Sequence, residues 1–483
     1  MANTRRTRAG HPADNRHFTP ASQSLHRRAA DSLHRSPREP AMQKKLILKL
    51  FAIAVLSLLL LVPLGMIEHQ VRERSVRQAE VVRNIAEAAA GAQTVVGPLL
   101  AIRYRERIEH REKDASTGHE SVRHEIVERC RVLPPQKLDI AGSARVEMRH
   151  RGLYGARLYH LDLAFTGTAE LPPHLGLDGT PQLVDAQAFL VLGLSDPRGV
   201  GLDPEVLIDG AARRFATGTQ SLLPGAGLHI ALGKVDLAAA RRIEFSFPLK
   251  LMGLEHLNIA PAGESTSVAL TSDWPHPSFQ GRFLPTMRQV SEQGFTARWE
   301  VSHLARNFER IVKGGAEHAA HGETLGVSYL DPVNIYLKSE RAVKYGVLFV
   351  VLTFAAFFLT ETLRRLAIHP LQYLLVGLAL ATFFLLLIGL SEHLDFALAY
   401  ASAAVASTLL ITVYLASALR ERRRGIAFGT GIALLYAVLY GVLLSEDNAL
   451  LMGALLIFAA LAATMLATRH IDWYRVGNGD EPA

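Results

Sequence analysis

The sequence predicts an α+β membrane protein: six transmembrane helices, with a large, mostly antiparallel β domain inserted between the first and second. Three observations lead there. Leu50–Ile67 is an apolar run of about the length that a bilayer demands of a helix. From Thr94 to about Thr324 the chain is polar, punctuated by Gly and Pro, and alternates with a period of two. Apolar runs return only after Asp331, crowded into the last third.

Composition narrows the class. Of 483 residues, 49% are hydrophobic and 20% charged, and the apolar ones are segregated rather than mixed, which fits a membrane protein better than a large soluble enzyme. Residues 1–45 hold ten Arg or Lys against three Asp or Glu, so this tail alone accounts for the formal net charge of +7. The basic balance is therefore local, and no nucleic-acid partner is expected. Cys130 is the one cysteine, so no internal disulfide framework can form.

The elements follow in order. Residues 1–45 read as a basic cytoplasmic tail, disordered because almost no large apolar residue is available to bury. An equal reading for 1–41 is a misplaced start, with translation beginning at Met42. Residues 46–67 form an anchor helix. It reads as uncleaved, because Glu68, His69 and Gln70 follow instead of a small-residue cleavage site. Glu68–Gln93 has helical spacing, with Val71, Ala79, Val82, Ile85, Ala86 and Ala89 near one face. Residues 94–330 form the β-rich domain. Leu161, Leu163 and Phe165 alternate with polar neighbours, as do Ile243, Phe245, Phe247, Leu249 and Leu251. Breaks such as Pro134-Pro135, Pro172-Pro173 and Asp178-Gly179 suit short antiparallel strands. Lys313–Glu323 reads as a flexible loop. Asp331 is placed to cap a helix beginning at Pro332.

Residues 331–483 read as a bundle of five spans, at about Ala342–Thr360, Leu371–Leu390, Phe396–Leu419, Ile426–Leu444 and Leu450–Thr468. Arg364 and Arg365, then Arg420 and Arg422–Arg424, then Arg469 and Arg475 occupy every second connection. Glu392 and Asp395, then Glu446 and Asp447, occupy the others. This is the positive-inside pattern, and it predicts cytoplasmic termini and a periplasmic β domain in a Gram-negative inner membrane. No ionisable residue falls near the middle of a span; Lys49, Lys344 and Glu361 sit at ends, within reach of the interface. Small residues at Ala401–Ser407 and Gly425–Gly431 suit close helix packing.

A search for catalytic chemistry finds none, and no cofactor or metal is expected. His124-Glu125-Ile126-Val127-Glu128 fails as a zinc motif at its fifth position. Gly227 to Gly233-Lys234 mimics a phosphate loop but ends in Val235, where Ser or Thr is required. Arg129 and Arg131 flank Cys130 and would lower its pKa, although a structural cysteine is the commoner case. His303, His318 and His321 surround the expected loop and more often mark a solvated segment than a metal site. Ser272–Thr286 is unusual, with Trp274, Phe279 and Phe283 interleaved with Pro275, Pro277 and Pro285. Trp274, His276 and Phe279 are the candidate partner contacts, weighed against a simpler role of Trp274 and Phe279 in capping the β core.

Several stretches together resemble one family, the CreD inner-membrane proteins. They are Thr271–Phe279, Phe283-Leu284-Pro285, Val290-Ser291-Glu292 with Gly294-Phe295, Arg341–Tyr345, Phe357-Phe358 with Glu361-Thr362, His369–Leu378, Leu390–His393, and Arg469 with Ile471–Tyr474; Val96–Leu99 fits near the front. The likeness runs from about Met42 to Tyr474, and residues 1–41 depart from it. It implies an inner-membrane protein under two-component control, linked to envelope integrity, colicin tolerance and β-lactam response, and it implies no catalytic residues. The expectation is a non-enzymatic protein of the membrane bilayer whose periplasmic domain binds an envelope component. The alternatives are a transporter or lipid-handling protein using the C-terminal bundle, and a periplasmic hydrolase of unfamiliar geometry.

Overall fold

The computed structural model describes residues 41–113, 120–177, 182–319, 322–329, 334–364, 368–419, 421–445 and 449–469. The basic tail before Ala41, the Asp331–Pro332 helix start, and His321 lie outside them.

The first element is α1, Ala41–Ala88, with Pro63 inside it. The helix expected over Glu68–Gln93 is not separate. No Gly or Pro falls between Ile67 and Ala88, so the anchor continues without a break to Ala88. An internal Pro removes one ladder bond and is tolerated in apolar helices. Sixteen strands follow among the described residues: β1 Gln93–Lys113, β2 Glu120–Leu133, β3 Lys137–Arg151, β4 Tyr154–Leu171, β5 Gln182–Leu194, β6 Glu205–Ile208, β7 Ala211–Arg214, β8 Ala216–Thr217, β9 Gly227–Lys234, β10 Arg241–Leu254, β11 His256–Ala260, β12 Ser265–Ser272, β13 Ser278–Gly281, β14 Met287–Ser291, β15 Gly294–Ser302 and β16 Leu325–Ser328. The helices after α1 are α2 Phe308–Ala319, α3 Ile335–Lys344, α4 Gly346–Arg364, α5 Pro370–Ser391, α6 Phe396–Ala418, α7 Arg422–Leu444 and α8 Ala449–Thr468.

The strands form two sheets. In one the order is β13, β16, β11, β1, β5, β9, β8, with β2 also paired to β1; in the other it is β14, β15, β12, β3, β4, β10, β6, β7. All pairings are antiparallel except two, β1 with β11 and β3 with β12. The period-two reading accounts for the interior. In β10 the side chains of Ile243, Phe245, Phe247, Leu249 and Leu251 are buried and the residues between them exposed, and they face Leu161, Leu163 and Phe165 of β4. Phe165 and Phe247 stack with centroids 4.7 Å apart. Val95, Val96 and Leu99–Ile102 of the first sheet join them in one continuous core.

α2 corrects the loop expected over Lys313–Glu323. Its helix carries Ile311 and Ala316 into the core, and this burial outweighs the weak propensity of Gly314-Gly315. Gly315 kinks it at φ 57°, where an added Cβ would stand 2.2 Å from the Pro224 carbonyl oxygen. The next helix, α3, is capped by Asn334, whose Oδ1 accepts from Tyr336 N–H at 3.0 Å and Leu337 N–H at 3.3 Å.

The end of α1 is clasped to the β domain. Asp196 Oδ2 accepts from Gly91 N–H at 3.0 Å and from Arg198 Nη2 at 2.6 Å, while Arg198 Nη1 donates to the Glu87 carbonyl at 2.8 Å. Ile85 of α1 packs with Ala156, Leu158 and Leu254.

Among the described residues, five helical stretches are long and apolar enough to cross a membrane: Ile47–Ala88, Ile335–Thr362, Pro370–Ser391, Phe396–Ala418 and Arg422–Leu444; Leu451–Leu466 is a shorter apolar helix. The chain divides into two compact units. One comprises Leu64–Gly346 and Ala381–Leu410; the other comprises the chain up to Pro63, Val347–Leu380 and the chain from Ile411 on. Within the second unit, Glu361 receives Lys49 Nζ, Tyr373 Oη at 3.0 Å and Ile368 N–H at 3.1 Å. Gly425 of α7 lies against the Ala416 backbone of α6, where an added Cβ would meet it at 2.5 Å.

Candidate functional site

The Pro-rich segment forms the connection between β12 and β13. Pro275 and Pro277 offer no N–H to a ladder, so pairing stops at Ser272 and resumes at Ser278. Trp274 N–H donates to Ser272 Oγ at 3.2 Å, and its indole Nε1 donates to the His276 carbonyl at 2.8 Å. The rings of Trp274 and His276 meet edge-on at 6.0 Å. One face of the half-buried indole is covered by Arg157 of β4, with Cζ 4.7 Å from the ring centroid. His276 is exposed.

Arg157 also bears on Glu255 at the corner between β10 and β11. Burial pushes the Glu255 carboxyl above its ordinary value, and the Arg157 guanidinium pulls it part of the way back. Phe279 faces elsewhere. Its ring is edge-on to Phe295 at 5.6 Å and Trp299 at 5.8 Å, so it packs on the β core. The structure thus brings Trp274 and His276 together, and packs Trp274 as well as Phe279 against the β core.

Beside this segment an open polar groove of about 650 Å³ runs along the second sheet. Arg145, His160, Asp162, Asp273, Gln289 and Gln293 line it. They come from β3, β4, the start of the Pro-rich segment and the β14–β15 hairpin. Asp273 is pinned by Val146 N–H, which donates to its Oδ1 at 2.9 Å. Sequence reasoning missed this convergence. The available signal was that His160 and Asp162 occupy the polar phase of an alternating strand.

The other candidates are placed as follows. Cys130 is exposed on β2. Partial burial of its sulfur pushes the thiol up, and the cation acting on it is Arg103, its cross-strand partner, rather than Arg129 or Arg131. Adjacent residues on a strand point to opposite faces. His124–Glu128 lies in β2 and Gly227–Lys234 is strand β9, so neither has the helical context its motif requires. His303 opens a 3₁₀ turn, and the side chain of His318 is outside the described residues. No group of three His, Cys, Asp or Glu suited to a metal ion occurs among the described residues.

The family described as inner membrane protein CreD matches residues 45–474. The chain belongs to the CreD family. The Escherichia coli (strain K12) inner membrane protein CreD is 36% identical over 422 residues, covering 86% of this chain and 91% of that one. The Pro-rich segment, the groove and the apolar helices all fall inside the part matched to the CreD family. Two crystal structures of an M1 zinc metallopeptidase variant from Deinococcus radiodurans, one with a Tyr-Ser-Ala substrate, align over 40% of the chain and 42% of theirs, at 11% identity. Their TM-score is 0.21, too low to carry any inference about fold or chemistry.

Proposed function

We propose that this CreD-family chain is a non-enzymatic inner-membrane protein that supports envelope integrity and the envelope-stress response. Its β domain lies in the periplasm and binds an envelope component. Six spans carry it, the shorter helix Leu451–Leu466 being the sixth, and both termini are cytoplasmic. Arginines on every second connection support that orientation. The observation that carries the binding role is the open groove beside Trp274. Its charges of both signs and its amide side chains offer donors and acceptors over a broad face. Trp274, the residue after the lining Asp273, stands next to it. That combination suits a hydroxyl-rich glycan better than an apolar ligand.

Two measurements test this reading. Cys130 is the single cysteine and is exposed on the β domain, so a membrane-impermeant thiol reagent should label it in spheroplasts without permeabilisation. Labelling only after lysis overturns the orientation. In a strain lacking its CreD-family protein, the full chain should restore detergent and β-lactam tolerance. Trp274→Ala together with Gln289→Ala should not restore it, at unchanged protein level. Full rescue by that variant overturns the groove as the binding surface.

A further inference from the structure

A second cavity lies within one compact unit, among α4, α7 and α8, with a volume of about 860 Å³. Its walls are apolar: Leu352 and Leu359 of α4, Phe428 and Leu435 of α7, and Leu456 and Ala460 of α8. Thr360 and Thr464 also line it, but their hydroxyls donate to the carbonyls of Ala356 and Ala460, each at 2.8 Å, within their own helices. They present little polarity to the cavity.

One end is different. Glu421, Arg423 and Arg424 contribute to the lining there. Arg424 Nε pairs with Glu421 at 2.5 Å, so that acid balances one guanidinium. Arg423 is exposed and makes no ion pair or hydrogen bond among the described residues. The result is an apolar trough of ligand-holding size closed by one unbalanced positive charge. A guanidinium presents a fork that matches phosphate oxygens, and basic pockets between membrane helices suit anionic head groups.

We propose that this trough binds an anionic glycerophospholipid. Its phosphate lies against Arg423 and Arg424, and one acyl chain lies along α4, α7 and α8. Apolar length and a cationic end within one cavity complement such a lipid. An apolar peptide leaves Arg423 unanswered, and free phosphate leaves the walls unfilled.

The test uses the full chain in nanodiscs containing phosphatidylglycerol and phosphatidylcholine, extracted into detergent, with retained lipid counted by native mass spectrometry. The wild-type chain should retain phosphatidylglycerol over phosphatidylcholine. Arg423→Gln should lower that retention about fivefold and Arg423→Gln/Arg424→Gln about 30-fold, at about 1 kcal/mol per cation. Arg423→Lys should recover part of it. Ala460→Phe, which fills the trough and leaves both arginines, should also lower retention, and 10 mM inorganic phosphate should not displace the lipid. Equal retention of the two lipids, no loss in Arg423→Gln, or displacement by phosphate alone each overturns the proposal. Arg423 is exposed, so Arg423→Gln is read by itself if the double variant fails to fold.

Discussion

The guanidinium of Arg157 lies 4.7 Å from the centroid of the Trp274 ring, so β4 supports an aromatic side chain of the β12–β13 connection. A cation over an indole face contributes about 0.5–1 kcal/mol when exposed and about 2 kcal/mol when desolvated. A double-mutant cycle of Arg157→Ala and Trp274→Ala, read by denaturant unfolding in detergent, should give a coupling within that span. Strict additivity would show that the guanidinium and the indole do not interact.

Phe279 and His276 should separate cleanly. Phe279→Ala removes a ring packed on Phe295 and Trp299, and should cost toward the lower end of the ~3–5 kcal/mol seen for core aromatics, because Phe279 is only half-buried. His276→Ala, at an exposed position, should stay within about 0.5 kcal/mol of wild type. Unfolding midpoints measure both, and equal costs would contradict the placement of Phe279.

The Asp196 clasp gives a signed pH dependence. Its pairing with Arg198, then the N–H groups of Gly91 and Arg198, hold its carboxyl below the ordinary carboxylate value. A depressed carboxyl contributes stability that is fully present above the unfolded value, about 3.9, and is lost as pH falls through the lower folded value. Asp196→Ala should therefore cost about 1–3 kcal/mol between pH 5 and 8, and the gap to wild type should close below pH 4. A gap that widens in acid would reverse the assignment.

Glu361 collects Lys49, Tyr373 and the Ile368 N–H. Removing the ammonium alone leaves an uncompensated charge, which costs up to about 3–5 kcal/mol in a buried site. Lys49→Met should thus lower the thermal midpoint in detergent more than Lys49→Met/Glu361→Gln does. A double variant less stable than the single would show that the pair is not the relevant contact.

Much of the β domain was legible because its signal is local. Ile243 to Leu251 and Leu161 to Phe165 alternate on a pleat whose two faces meet different surroundings. The apolar helices were legible for the same reason. What stayed hidden depends on pairing between distant segments. Arg157 and Trp274 meet through the packing of β4 beside the β12–β13 connection, and nothing near either residue announces the other. Lys49 and Glu361 looked like separate charges at the ends of two spans and are partners. α2 was misread as a loop because Gly314 and Gly315 dominate a short window, whereas the cause of the helix is the burial of Ile311 and Ala316.

The two parallel pairings have a consequence for how the molecule is made. Gln93–Val96 must wait for Leu257–Ala260, and Lys137–Ala144 must wait for Ser265–Ser272, before either sheet has its central neighbours. During synthesis, the Gln93–Val96 end of β1 and the strand β3 therefore emerge with one flank unmatched, while the β1–β2 and β3–β4 hairpins can already close. Such late closure slows folding and leaves strand edges open to wrong partners. A chain stalled or cut before Ser265 would hold an unfinished sandwich, a ready target for proteases and chaperones.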